Sequence, residues 1–486
     1  MKKKKAQRLP VTIGMILYAA AAVLIFYSCY YADFYETGLE GVRFWDILFS
    51  GQIRHFYTQI FLIGDTQYIP LYDFPMYIVF AVWNFPLWVV EKVSGIDIFH
   101  SVPCLMWMKS MLWLFLALFL KTFGALAEDV MELHGCDTGE RKDSVREAQL
   151  LFLTSIFFMT GLVVLGQYDI ITMTFMMMGI RAYLKKDDRR FVLWFAIAAP
   201  FKYFSILAYV PLVLLQEKKI RRILLRGVEV ILPILFFWIT VPYGRPELVP
   251  GCTFSGSSSG SNVAKPIYDA LFVTGTIGFG TLFVYIFLWV VFLVLCYAWR
   301  EEDNEKRLSE VAVYVCFMAY MIQFTFGYSH PYWLILLVPF MVLVILQNEK
   351  LRYLNLLLEM LLTAAMAVAQ IFTYTWCFNS NIVNLSFWKM LLPEGVSDQE
   401  FSVMSILAGV VSDPRLQEYA SGAGLSVFAA GMILFTIFSC PLWKDRLPLI
   451  WRGREEYKWI LPLRAFLAAC LGMVPLLLYI FHAIVR

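Results

Sequence analysis

From residue 11 onward the chain is a succession of apolar runs, each near the length a helix needs to cross a bilayer: 11–31, 73–93, 103–125, 149–165, 169–184, 191–215, 227–243, 270–298, 309–325, 331–347, 353–376, 422–443 and 459–483. A spanning helix takes about 20 mostly apolar residues, whereas a membrane barrel takes strands of about ten with strict alternation, which these runs lack. The expected fold is an all-α, polytopic transmembrane helical bundle of about 11–14 membrane helices, some short or broken. Composition agrees, since 60% hydrophobic and 16% charged residues do not suit a soluble domain, where about a quarter are charged. A net charge of +3 gives no basic surface for nucleic acid. The nine cysteines form no CxxC or Cys/His spacing, so neither a disulfide framework nor a zinc site is expected.

Met1 to Pro10 carries Lys2, Lys3, Lys4, Lys5 and Arg8 before the first run. That run exceeds a signal peptide's core and no small-x-small cleavage site follows, so it reads as a retained span starting in the cytoplasm. Basic connections at 141–146, 185–190, 218–226, 300–307, 350–352 and 444–458 read as cytoplasmic, and the long, Lys/Arg-poor connections 32–72, 244–269 and 377–421 as outer. The run 191–215 has basic loops at both ends, which one crossing cannot satisfy. A break near Pro200 and Lys202 turns it into two short helices with an outward apex, and the pair 149–165 and 169–184 does the same around Gly166-Gln167-Tyr168-Asp169. For this scheme 73–93 and 103–125 must together cross once, so one is expected to be incomplete. No internal repeat is evident, and Phe254 to Ser261 is a Ser/Gly-rich patch of an outer loop.

This topology gathers polar apexes on one face: Asp33 and Glu36, the GQYD step, Lys202, and Tyr328-Ser329-His330-Pro331-Tyr332. An ionisable group inside a bilayer costs about 2.5–3.5 kcal/mol even on the lenient insertion scale. Lys202 lies about 16 Å of helix from the preceding basic loop, beyond a lysine's reach. Two readings stand for it: a cation that meets an anion, or a structural ion pair with a carboxylate such as Asp169. Gln167 and Asp169 line the same site or simply form a turn. Asp33 is a base or a solvated interfacial carboxylate, with Glu36, Glu40 and Asp46 nearby, and His330 is a ligand contact or a structural histidine without a metal partner. The aromatic stretches Phe44 to Phe49 and His55 to Leu62 suit a shelf along the membrane interface.

The order of these pieces resembles the polytopic GT-C glycosyltransferases that use polyprenyl-phosphate sugars, including the polyprenol-phosphate-mannose-dependent mannosyltransferases. The matching features are Asp33 with Glu36 in a long first outer loop, the entry Pro70-Leu71-Tyr72-Asp73-Phe74-Pro75, GQYD at 166–169, Lys202 followed by Pro211, and His330-Pro331-Tyr332. The acids depart from the D-x-D or adjacent spacing of many relatives, and YDFP replaces a Tyr-Pro-Pro entry. The resemblance covers roughly 11–340. It implies a catalytic module 1–340 including outer loop 32–72, followed by C-terminal membrane helices 341–486 with outer loop 377–421. It also implies Asp33 or Glu36 as the catalytic base, Lys202, His330 and Tyr332 at the donor phosphate, and Gln167 and Asp169 in the substrate site. The implied partners are a polyprenyl-phosphate-linked sugar donor, a glycan or lipid acceptor and membrane lipid. No cofactor is required, a divalent cation being optional. The implied setting is a bacterial plasma membrane, with the N-terminus cytoplasmic and the site on the outer face. A lipid-linked glycan flippase or secondary transporter is the alternative, although such proteins usually show two related halves.

Overall fold

Long apolar helices are interrupted wherever proline, glycine or a polar cluster stops them. The computed structural model describes residues 13–63, 70, 72–242, 274–277, 280–300, 304–327, 330–391, 401–408, 414–446 and 459–485. The basic segment Met1 to Pro10, Leu71, the outer loop 244–269 with its Ser/Gly patch, Tyr328, Ser329, residues 392–400 and residues 447–458 lie outside the described residues.

The helices are α1 (Ile13–Ser28), α2 (Ala32–Phe49), α3 (Phe56–Ile63), α4 (Phe74–Ser94), α5 (Val102–Leu133), α6 (Thr138–Leu153), α7 (Ile156–Val164, closing in a π turn), α8 (Asp169–Leu184), α9 (Asp188–Ala198), α10 (Phe204–Gln216) and α11 (Ile220–Thr240). After them come α12 (Val284–Ala298), α13 (Glu305–Phe326), α14 (Pro331–Gln347, opening in a 3-10 turn), α15 (Arg352–Thr373), α16 (Pro414–Ser439) and α17 (Ile460–Val485). A short antiparallel hairpin, Thr274–Ile277 with Gly280–Phe283, precedes α12. Among the described residues, 7 helices are long and apolar enough to cross a membrane. The bent pairs α1/α2 and α6/α7 qualify together, at 63° and 56°, and α10, α12 and α14 are shorter apolar helices. The chain is thus an all-α, multi-pass membrane protein with short and broken spans. The apolar side chains of α11 are mostly exposed, as lipid contact requires.

Local chemistry explains the interruptions. Asp137 caps α6 by accepting from the N–H groups of Gly139 and Glu140 at 2.8 and 2.9 Å, and Glu140 returns the bond to the Asp137 N–H. α4 ends at Gly95, whose φ of 67° is the left-handed conformation that glycine adopts at no steric cost. α9 stops at Ala198, two residues before Pro200, whose ring disfavours helical geometry just ahead of it, and α10 restarts at Phe204.

The expectation that one of the runs 73–93 and 103–125 is incomplete is corrected: α4 and α5 are both continuous and of spanning length. They differ in their partners. α4 packs parallel to α2, start against start and end against end, with Asp33 near Tyr72, Arg43 bound bidentately by Glu91 at 2.6 and 2.8 Å and Lys92 by Asp46 at 2.9 Å. Contact is so close that a Cβ on Gly41 would sit 2.5 Å from the Cβ of Phe80. α4 therefore follows α2, which turns away from α1, while α5 packs on α6 and α8 in the bundle. The aromatic stretches of the first outer loop are also more than a shelf, since Phe44, Phe56, Tyr57, Phe74 and Tyr77 form a buried cluster of their own.

Two buried cations fasten the bundle. Lys109 of α5 donates to the carbonyls of Phe26 (2.5 Å), Cys29 and Val163 (3.3 Å), which close α1 and α7. A cation at helix C-termini satisfies carbonyls that no helical N–H can reach and complements the helix dipole. Arg464 of α17 pairs with Glu359 of α15 and donates to the Leu151 carbonyl at 2.9 Å. α17 also packs on α1, so the C-terminal helices close the same bundle.

Candidate active site

Four interruptions meet at one place: the α1/α2 bend, the entry to α4, the α7/α8 turn and the α9/α10 break. At the α7/α8 turn Gly166 has φ 66°, and a Cβ there would lie 3.1 Å from the Lys109 Cε, so both backbone conformation and space call for glycine. The turn delivers Gln167, Tyr168 and Asp169 in succession, all buried. Asp169 stands in the first turn of α8, where the helix dipole favours a carboxylate. Lys202 follows the end of α9, its N–H reaching the Ala198 carbonyl at 3.3 Å. Thr172 of α8 donates to that same carbonyl at 2.9 Å, which brings the two helix ends together.

The consequence is an ion pair, Lys202 Nζ to Asp169 Oδ1 at 2.6 Å, with side chains 10% and 0% exposed. Of the two readings of Lys202, the pairing with Asp169 is formed. The ammonium is also ringed by aromatic faces, with Nζ 5.5 Å from the centroid of Tyr72, 5.7 Å from Tyr168 and Trp333, and 6.0 Å from Phe204 and Tyr332. Ring quadrupoles stabilise a cation by roughly 0.5–2 kcal/mol apiece, more as water is excluded.

Asp33 opens α2 on the adjoining side. Its Oδ2 accepts from the Tyr72 hydroxyl at 2.6 Å and from Gln167 Nε2 at 3.4 Å. Lys202 is within its electrostatic reach. One turn on, Thr37 donates to the Asp33 carbonyl at 2.8 Å and shares a 3.3 Å hydrogen bond with the Tyr168 hydroxyl. Glu36, partly buried on the same helix, has Glu40 as a charged neighbour.

His330 stacks on Tyr332, with centroids 5.2 Å apart and planes 5° apart, and meets Trp333 edge-on at 4.7 Å. Burial first, and the Lys202 charge second, hold its pKa down to about 4, so at neutral pH the imidazole is uncharged and can donate one hydrogen bond. Trp376, from the segment after α15, stacks on Tyr31 at 4.8 Å and faces Tyr332 at 6.2 Å. Two further bonds hold that segment against the α1/α2 bend: the Tyr30 N–H donates to the Ile382 carbonyl at 2.6 Å, and Trp388 Nε1 to Ser28 at 2.7 Å.

Asp33, Gln167, Asp169, Lys202, His330 and Tyr332 thus converge, and Glu36 follows Asp33 on α2. Sequence reasoning gave no role to Tyr72, Tyr168, Trp333, Trp376, Glu40 or Lys109. For Glu40 a signal existed: in DFYETGLE, Asp33, Thr37 and Glu40 are spaced i, i+4, i+7, one face of a helix. For Trp376, far along the chain, there was none.

No family model and no curated protein matches this chain. It is similar to the crystal structure of ArnT from Cupriavidus metallidurans bound to undecaprenyl phosphate, at 13% identity and a TM-score of 0.34, over 94% of this chain and 78% of that one.

Proposed function

We propose that this protein is a GT-C-like membrane glycosyltransferase that moves a sugar, a hexose such as mannose, from a polyprenyl-phosphate carrier to an acceptor hydroxyl on the outer face. The observation that carries the reading is the meeting of a carboxylate base with a cation in an aromatic-walled site at four helix interruptions, Asp33 beside the Lys202–Asp169 pair. Both hydrogen bonds that Asp33 accepts fall on Oδ2, so Oδ1 is the oxygen that takes the acceptor proton. The acceptor oxygen bonds to the anomeric carbon as the bond from that carbon to the phosphate oxygen breaks. The electron pair leaves with the polyprenyl phosphate, and Lys202, shared with Asp169, stabilises the growing charge there. Tyr332 and neutral His330 add hydrogen bonds to the phosphate, and Gln167 orients Asp33. No step passes through a metal, and a divalent cation is optional. In this reading the N-terminus is cytoplasmic and the site lies on the outer face.

The test is incubation of purified protein in nanodiscs with polyprenyl-phosphate mannose and its glucose counterpart, following release of the polyprenyl phosphate. Wild type should consume one of them. Asp33→Asn should lose a factor of about 10² to 10⁴, the usual worth of a general base, with its fold retained. Transbilayer movement of intact donor without bond cleavage would overturn the proposal in favour of a flippase.

A further inference from the structure

Tyr72 stands in the connection ahead of α4, one residue before the N-cap Asp73, so no helix takes up its backbone N–H and carbonyl. Such groups, when buried, have to find partners elsewhere. Here two phenols supply them. The Tyr72 N–H donates to the Tyr77 oxygen at 3.1 Å, and the Tyr72 carbonyl accepts from the Tyr57 hydroxyl at 2.8 Å. Tyr57 belongs to α3 and Tyr77 to the first turn of α4. Both rings are buried, with centroids 6.1 Å apart and planes at 88°. Phe56 packs on Tyr77 at 5.0 Å and edge-on against Tyr57 at 5.5 Å. A ring held in a close-packed cluster has its hydroxyl held too. The aromatic cluster of the first outer loop therefore grips the Tyr72 backbone on both sides.

The side chain of Tyr72 leaves that cluster for the bundle. It packs against both hydrophobic clusters of the protein, meets Tyr168 edge-on at 4.9 Å and passes 5.5 Å from Lys202 Nζ. Its hydroxyl ends on Asp33 Oδ2 at 2.6 Å, the length of a charge-assisted O–H···O bond. Gln167 reaches the same oxygen only at 3.4 Å. The closer hold on the carboxylate is thus a phenol whose own backbone is fixed from the outer loop.

We propose that Tyr72 is the positioning residue of the base and Tyr57 its fastening: the α3 hydroxyl fixes the Tyr72 backbone, so that the Tyr72 hydroxyl holds one oxygen of Asp33 and leaves the other turned to the acceptor. The tether Tyr57, Tyr72, Asp33 stands on its hydrogen bonds, and its catalytic consequence rests on the glycosyltransferase reading.

The experiment places 3-fluorotyrosine at position 72 of the full-length protein in nanodiscs and reads its fluorine resonance. Asp33→Asn must move the resonance, since it alters the direct partner. Tyr57→Phe removes only the remote hydroxyl and is expected to move it as well, with the melting transition retained. Tyr77→Phe, which removes the acceptor of the Tyr72 N–H, serves where Tyr57→Phe fails to fold. In transfer assays Tyr57→Phe and Tyr72→Phe should lower kcat by roughly tenfold to a hundredfold, the scale of a small misplacement of a reacting group, with the donor KM unchanged. Tyr209→Phe is the control, since it removes a tyrosine-to-carbonyl bond of the same kind, to Arg226 at 3.0 Å, between α10 and α11. It should keep the wild-type kcat. A resonance that moves in Asp33→Asn but stays fixed in Tyr57→Phe overturns the proposal, as does one unmoved in both, or a Tyr209→Phe variant that loses as much kcat as Tyr57→Phe. If wild type transfers no sugar while the resonance responds as expected, the glycosyltransferase reading fails and the tether stands.

Discussion

Replacing Asp169 by asparagine removes the counter-charge from an ammonium that is 10% exposed and ringed by five aromatic side chains. The rings stay in place in the variant, so they do not offset the difference. The lost partner is a carboxylate at 2.6 Å with no exposed surface, and removing one member of a buried pair costs about 3–5 kcal/mol. Its position in the first turn of α8 adds about 0.3–1 kcal/mol from the helix dipole. Lys202→Met strands Asp169 and should cost a similar amount. Replacing both with apolar groups, Lys202→Met with Asp169→Leu, should return stability to within about 1 kcal/mol of wild type, because apolar substitutes for a buried pair are often neutral or better. The coupling can be read from unfolding in mixed detergent micelles titrated with SDS, followed by a thiol-reactive dye, since Cys29, Cys104, Cys296, Cys316, Cys377 and Cys440 are free and buried until the bundle opens. The double variant also separates the two uses of the lysine: it should be stable yet deficient in donor binding. Single substitutions costing under 1 kcal/mol, or a double variant as unstable as the singles, would refute the account of a buried, coupled pair.

Lys109→Met should destabilise the bundle by at least about 2 kcal/mol in the same titration, because three buried carbonyls lose their donor. An unchanged midpoint would show that those carbonyls find other partners. Single cysteines replacing Lys186 and Lys219, each in a basic connection beside the α9/α10 pair, should label from the same side of sealed vesicles, with a cysteine at Trp376 labelling from the other. Opposite labelling of the first two would dissolve the broken-helix topology.

The charges legible in the sequence were those that stood out against their surroundings. Asp169 and Lys202 lie in apolar runs, where each ionisable group has to be explained, and the breaks that hold them are marked by Gly166 and Pro200. Tyr72 and Tyr77 were hidden because tyrosine is abundant, 26 in the chain, and a phenol's role depends on which way its proton points. Glu40 was hidden among the acids of a connection read as a loop. Only the helical register of α2, folded beside α4, puts it two turns from Asp33 and on a buried face.

The two buried lysines show what sequence could not separate. Lys109 and Lys202 each sit in an apolar run and each lies at helix ends, so hydropathy treats them alike. Their partners differ in kind. Lys109 is surrounded by neutral carbonyls that close α1 and α7, and each is an end group with no other donor among the described residues, so its charge is used up in holding the fold. Lys202 faces a carboxylate and the open faces of aromatic rings, partners that can share an ammonium with an incoming anion without losing a backbone bond. A phosphate arriving beside Lys202 trades part of one ionic contact for another, whereas the same phosphate beside Lys109 would have to unpick two helix ends. Both substitutions should therefore lower stability, but only at Lys202 should a compensating change at a single partner, Asp169, restore it while donor binding stays lost.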